Sequence, residues 1–94
     1  MKKILFTGSG GVGSQILWDC LKKKYILYFG DEFINKIHPD IKKNNKIKLL
    51  NCKNKNYYKQ IINICNFNKI DILVPGIDEE LLKIRYLEKK FKYT

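Results

Sequence analysis

Apolar and polar positions follow two periods along this chain, and residues 3–21, KILFTGSGGVGSQILWDCL, show both in succession. Ile4, Leu5 and Phe6 form a short apolar run closed by Thr7, which predicts a buried strand. Gly8, Gly10 and Gly13 follow in G-x-G-x-x-G spacing, with Gly11 between them. Val12, Ile16, Leu17, Cys20 and Leu21 then recur as one face of a helix. A strand, a glycine turn and a helix in that order open a doubly wound fold of the nucleotide-binding type.

The same alternation continues. Residues 25–29 (YILYF) are aromatic and branched, which predicts a second strand ending at Gly30-Asp31-Glu32. Residues 33–37 can form one helical turn, broken by His38-Pro39-Asp40. Residues 46–50 (KIKLL) predict a third, more peripheral strand. Asn54 or Asn56 can cap a helix over residues 57–67, whose wide apolar face holds Tyr57, Tyr58, Ile61, Ile62, Ile64, Cys65 and Phe67. Residues 70–74 (IDILV) predict a fourth strand stopped by Pro75-Gly76. A last helix opens at Asp78, with Glu79 and Glu80 in its positive first turn and Leu81, Ile84, Leu87 and Phe91 as its buried stripe.

Strands and helices of these lengths imply an α/β, Rossmann-like three-layer domain with right-handed crossovers. The expected four-stranded parallel sheet has the order third, second, first, fourth. The first and fourth strands are then neighbours whose connections leave in opposite directions, and ligands bind at such switch points. Residues 8–14 and 76–80 should meet at one mouth, with Asp31 beside them.

Composition adds little to this picture. The formal charge of +10 suggests a polyanionic partner, but lysine accounts for nearly all of it and Arg85 is the sole arginine. The lysines are spread along the chain, and nucleic-acid surfaces draw on arginine for bidentate contacts, so nucleic acid is not the expected partner. Cys20, Cys52 and Cys65 are an odd number without C-x-x-C spacing, and two of them sit on apolar helix faces. They read as small buried thiols of a reducing compartment. No apolar run approaches the roughly 18–20 residues of a membrane span, so cytoplasm is the expected location. His38 has no second histidine in the chain, which argues against a metal site.

The mouth offers specific chemistry. Backbone N–H groups at Gly8, Gly10, Gly11 and Gly13 can approach a phosphate or carboxylate at the positive end of the first helix, and Ser9 and Ser14 can add hydroxyl donors. Asp31 lies eighteen residues after Gly13, where a dinucleotide fold places the acid that binds ribose hydroxyls. It can equally cap residues 33–37. The T-G-x-x-G-x-x-G dehydrogenase pattern matches at Thr7, Gly8 and Gly11, but Ser14 stands at its last glycine. Asp78, Glu79 and neighbouring Gly76 complete the candidate ligand-binding set, and no catalytic residue is assigned.

Two stretches together resemble a known family. MKKILFTGSGGVGSQIL, followed later by IDILVPGIDEELL, resembles the pre-ATP-grasp domain of ATP-grasp proteins of the carbamoyl phosphate synthase large-subunit-like group. There a strand reading D-(apolar)₃-P precedes D-E-E-L, as in Asp71 to Pro75 and Asp78 to Leu81 here. The glycine turn is one residue shorter than the family's G-x-G-G-x-x-G form. The resemblance implies a substrate-side, non-catalytic module of an ATP-dependent carboxylate–amine ligase, facing a small-molecule acceptor. ATP and magnesium would be held by an ATP-grasp domain absent from residues 1–94, so the chain reads as one domain of a larger assembly. The fourth strand would then be an open edge, to be paired by that missing domain or by a second copy. The alternatives are an NAD(P)-binding Rossmann domain of an oxidoreductase, and a standalone interaction module using its basic surface.

Overall fold

The computed structural model describes residues 1–10, 13–76 and 78–94, apart from the side chains of Asp78 and Glu79. Gly11, Val12 and Ile77 lie outside the described residues, and with them one predicted glycine of the turn and one predicted apolar helix position.

Four parallel strands form one sheet in the order β3-β2-β1-β4. They are β1 (Lys3–Phe6), β2 (Ile26–Asp31), β3 (Lys46–Lys48) and β4 (Ile72–Val74). The strand order and the parallel α/β, Rossmann-like arrangement agree with the sequence reading. Leu5 stands opposite Tyr28 on β2 and Leu73 on β4, so β1 is paired on both sides. That central position explains its unbroken apolar run, because both faces of a parallel strand are covered. β3 and β4 are shorter than the predicted runs, as edge strands often are.

Alternation along β1 builds two cores. Ile4 and Phe6 face one side with Trp18, Leu27, Phe29, Ile37 and Ile41. Phe6 and Phe29 stack at 5.1 Å, and Trp18 meets Phe29 edge-on at 6.3 Å. Leu5 faces the other side with Leu49, Tyr57, Ile61, Cys65 and Ile70. Helix α1 (Gly13–Leu21) covers the first core, and α2 (Tyr57–Asn68) the second.

The first helix is rotated from the predicted face. Ser14 and Trp18 are its buried side chains, with Leu21 partly buried behind them. Ile16, Leu17 and Cys20 are exposed. Positions 14, 18 and 21 also keep helical spacing, and the indole decides between the two faces. Burying about 150–250 Å² of aromatic surface is worth about 4–6 kcal/mol, against about 1.5–3 for an aliphatic side chain. Of the three thiols only Cys65 is buried, so the expectation of buried cysteines fails at Cys20 and Cys52.

Helix α2 presents Tyr57, Ile61 and Cys65 inward at i, i+4 and i+8. Phe67 points outward and is 87% exposed, contrary to its predicted place on that face. Neither asparagine caps the helix from the N-cap position: Asn56 makes no side-chain cap bond, and Asn54 Oδ1 accepts from the Asn56 N–H at 2.8 Å. The helix stops at Lys69, which adopts the left-handed conformation (φ 54°) and returns its N–H to the carbonyls of Cys65 and Asn66.

Helix α3 (Asp78–Tyr86) continues into a 3-10 turn, Glu88–Lys90, and returns over α2. Asn66 holds that return, accepting from the Lys92 N–H at 2.8 Å and donating to the Lys90 carbonyl at 3.1 Å. Phe91 packs on the second core, whereas Leu81 of the predicted stripe is 56% exposed. Among the described side chains of this turn, Glu80 is the inward one. No helix among the described residues is long and apolar enough to cross a membrane.

Candidate functional site

β1 and β4 end side by side, and their exit loops touch. The Thr7 N–H donates to the Val74 carbonyl at 3.1 Å, extending the ladder one residue beyond β1. The chain then turns through Gly8 at φ +64°, a conformation that strains any residue with a Cβ. Across from it, a Cβ on Gly76 would overlap the Thr7 carbonyl oxygen, so only glycine lets the two loops approach this closely.

A buried polar network ties these loops to α2. The Gly76 N–H donates to Thr7 Oγ1 at 3.1 Å, and the same hydroxyl donates to Glu80 Oε2 at 2.7 Å. The Tyr57 hydroxyl donates to Glu80 Oε1 at 2.8 Å. Thr7, Tyr57 and Glu80 are all buried, with Glu80 only 2% exposed. A carboxylate removed from water is costly unless its oxygens are satisfied, and here each accepts one hydroxyl proton. Burial, and next the bond to Glu80, push the Tyr57 phenol well above its ordinary pKa, so it stays protonated and donates. One carboxylate therefore joins the end of β1, the start of α2 and the start of α3.

The predicted site residues divide into several groups. Gly8, Gly76 and Ser9 converge at this mouth, but the Ser9 hydroxyl turns inward to the Phe6 carbonyl at 3.0 Å while its N–H bonds the Gly30 carbonyl at 3.1 Å. Gly13 and Ser14 line a depression of about 210 Å³ between the glycine turn and the end of β4. Ser14 is buried there, and a Cβ on Gly13 would meet nothing within 4 Å, so that side of the turn is open. Asp31 ends β2 with Oδ2 accepting from the Phe33 N–H at 3.0 Å, and the same oxygen would lie 3.2 Å from a Cβ on Gly10. It thus caps the following turn and sits against the glycine loop at once. Gly11 and the carboxylates of Asp78 and Glu79 lie outside the described residues and side chains.

A smaller depression of about 110 Å³ opens on the α2 side of Gly8, lined among others by Asp31, Glu32, Tyr57 and Glu80. The two hollows differ in chemistry. The first offers the start of α1 at Gly13 and Ser14, which suits an anion, whereas the Thr7, Ser9 and Gly76 N–H groups are already bonded within the fold. The second offers carboxylates, which suit an amine or a hydroxyl. A scan against protein-family models finds no match, and searches of curated proteins and of solved structures return no significant match. The chemistry of the mouth is therefore read from its geometry.

Thr7 and Tyr57 were absent from the predicted site, and Glu80 was placed at the mouth as a first-turn residue but not in the ligand-binding set. A signal for Glu80 exists: positions 80, 84, 87 and 91 continue one helical stripe, so the period carries the glutamate inward with Ile84, Leu87 and Phe91. His38 sits apart in its loop, 3.7 Å from Asp40. Among the described residues no group of three or more metal-binding side chains converges.

Proposed function

We propose that this chain is the substrate-side domain of an ATP-dependent carboxylate–amine ligase of the ATP-grasp type, without a complete active site of its own. One observation carries the reading. The two stretches that bear the family resemblance, the glycine turn and the loop into D-E-E-L, are joined at one mouth through Thr7, Gly76 and Glu80. Such ligases phosphorylate a carboxylate with ATP and let an amine displace the phosphate. The anion-suited hollow at the glycine turn would face the carboxylate or phosphate end of a substrate, and the carboxylate-lined hollow an amine.

ATP and magnesium do not fit the residues described here. Pockets for ligands of drug or cofactor size run to about 300–1,000 Å³, more than the 210 Å³ beside the glycine turn, and among the described residues no group of three metal-binding side chains converges. Clamping the nucleotide falls to another domain. β4 supports this division: it is a sheet edge on which Ile72 and Val74 remain 40% and 39% exposed, a surface for a further strand from an ATP-grasp domain or a second copy. Cytoplasm, where ATP is at hand, is the compartment this reading assigns.

A second reading has its own observation. Asp31 stands at the end of β2 against Gly10, as an acid for ribose hydroxyls would in an NAD(P)-binding domain. The DNA immediately downstream of the Thr94 codon, with light scattering of the chain, separates the two. An ATP-grasp segment in frame or in the adjacent gene, and association through β4, are expected. An oxidoreductase segment there, or a stable monomer whose melting no partner changes, would overturn the ligase reading.

A further inference from the structure

Away from the mouth, α2 and the α3 return leave a groove of about 370 Å³ between them. Its floor is Tyr58, Ile62 and Leu87, all half-buried, and its rim carries Lys55, Lys59, Lys83 and Lys90, all exposed. Lysine fills four of the seven lining positions, against 19 lysines plus arginines in 94 residues overall.

Among the described residues no ion pair to a rim lysine is found. Helix α2 contains no aspartate or glutamate, and Glu80 of α3 is turned away to Thr7 and Tyr57. Among the described residues the ion pair found is His38–Asp40, in a separate loop. Four ammonium groups around an apolar floor match a segment that presents apolar side chains flanked by carboxylates. Two helices with a groove between them seat a third helix by filling it with side chains at i, i+3, i+4 and i+7. Nucleic acid fits less well, because the groove lacks arginine and holds a single aromatic ring.

We propose that this groove docks an acidic, amphipathic helical segment of a partner protein. It is separate from the ligand mouth and does not depend on the ligase reading. Fluorescence anisotropy at physiological salt tests it. The labelled probe is a helical peptide with leucines on one face and glutamates elsewhere. Competitors are its scrambled isomer, oligoglutamate of equal charge, and a single-stranded oligonucleotide of equal charge.

The helical peptide is expected to bind best. Lys59→Glu with Lys83→Glu should weaken it about tenfold or more, Lys59→Gln with Lys83→Gln by less, and Lys23→Glu with Lys24→Glu, exposed just beyond α1 on the far side of the sheet, by no more than about twofold. Equal weakening by the far-side pair, or equal binding of scrambled peptide or oligoglutamate, would reduce the groove to part of a diffuse lysine field and overturn the proposal. Tighter binding of the oligonucleotide would overturn it in favour of a nucleic-acid surface, and absence of peptide binding would overturn it outright.

Discussion

Replacing Glu80 removes the acceptor shared by Thr7 and Tyr57, and the cost can be worked from the geometry. A hydrogen bond to a charged group contributes about 1.5–3 kcal/mol, and a buried hydroxyl left without a partner costs about 1–3. Glu80→Ala strands two hydroxyls that now donate at 2.7 and 2.8 Å, and its loss is offset by the desolvation that a buried carboxylate no longer suffers. The net expectation is about 2–4 kcal/mol. Glu80→Gln keeps the shape and one accepting oxygen, so about 1–2 kcal/mol is expected. Tyr57→Phe leaves the carboxylate with one donor and should cost about 2–3. A chain of 94 residues has about 5–14 kcal/mol of stability in all, so Glu80→Ala takes a large share. The assay is urea unfolding followed by the fluorescence of Trp18, the sole tryptophan and 7% exposed in the fold. In a double-mutant cycle, Tyr57→Phe and Glu80→Gln should couple by at least about 1 kcal/mol. Glu80→Ala within about 0.5 kcal/mol of the parent chain, or a cycle with no coupling, would refute the network.

Other expectations address separate elements. If α1 buries Trp18 and not Ile16, Trp18→Ala should cost about 3–5 kcal/mol and Ile16→Asn within about 0.5, by urea unfolding followed by far-UV circular dichroism, since Trp18→Ala removes the fluorophore. Cys20 and Cys52 should react with a thiol reagent at once, while Cys65, whose thiol burial pushes up to about 11, should react only on unfolding. The phenol of Tyr57 is raised in the folded state, so its contribution is complete below the unfolded value near 10 and is lost as pH rises above it. The alkaline slope of stability should accordingly flatten by about 1.4 kcal/mol per pH unit in Tyr57→Phe. Lys69→Gly should raise stability by about 0.5–1 kcal/mol, since Lys69 holds φ 54° at the end of α2.

The topology was legible because its causes are local. Each strand announces itself as a short apolar run, each helix by its period, and Gly8 and Gly76 mark the turns between them. Helix rotation was less legible. α1 carries Ile16, Leu17, Trp18, Cys20 and Leu21 around much of its circumference, so two faces satisfy the same period. Packing of the indole against Phe29 chooses between them. Tyr57 and Glu80 were hidden for another reason. The bonds that hold Glu80 inward come from partners 73 and 23 positions away, and although the 80, 84, 87, 91 period places it on the buried stripe, a glutamate in the first turn also fits a solvent-facing helix start. Asp31 shows both local and distant roles, capping its own turn while lying against Gly10.

The central claim is that the glycine turn and the loop into α3 form one mouth serving the substrate side of a ligase. Backbone-amide NMR of the whole chain, titrated separately with inorganic phosphate, MgATP and NAD, tests it most directly. Phosphate should shift amides of residues 8–10, 13–14 and 76–80 together, with MgATP binding no more tightly than phosphate and NAD leaving Asp31 unmoved. Saturable NAD binding that moves Asp31 and disappears in Asp31→Ala would contradict the claim, and so would phosphate shifts confined to one loop.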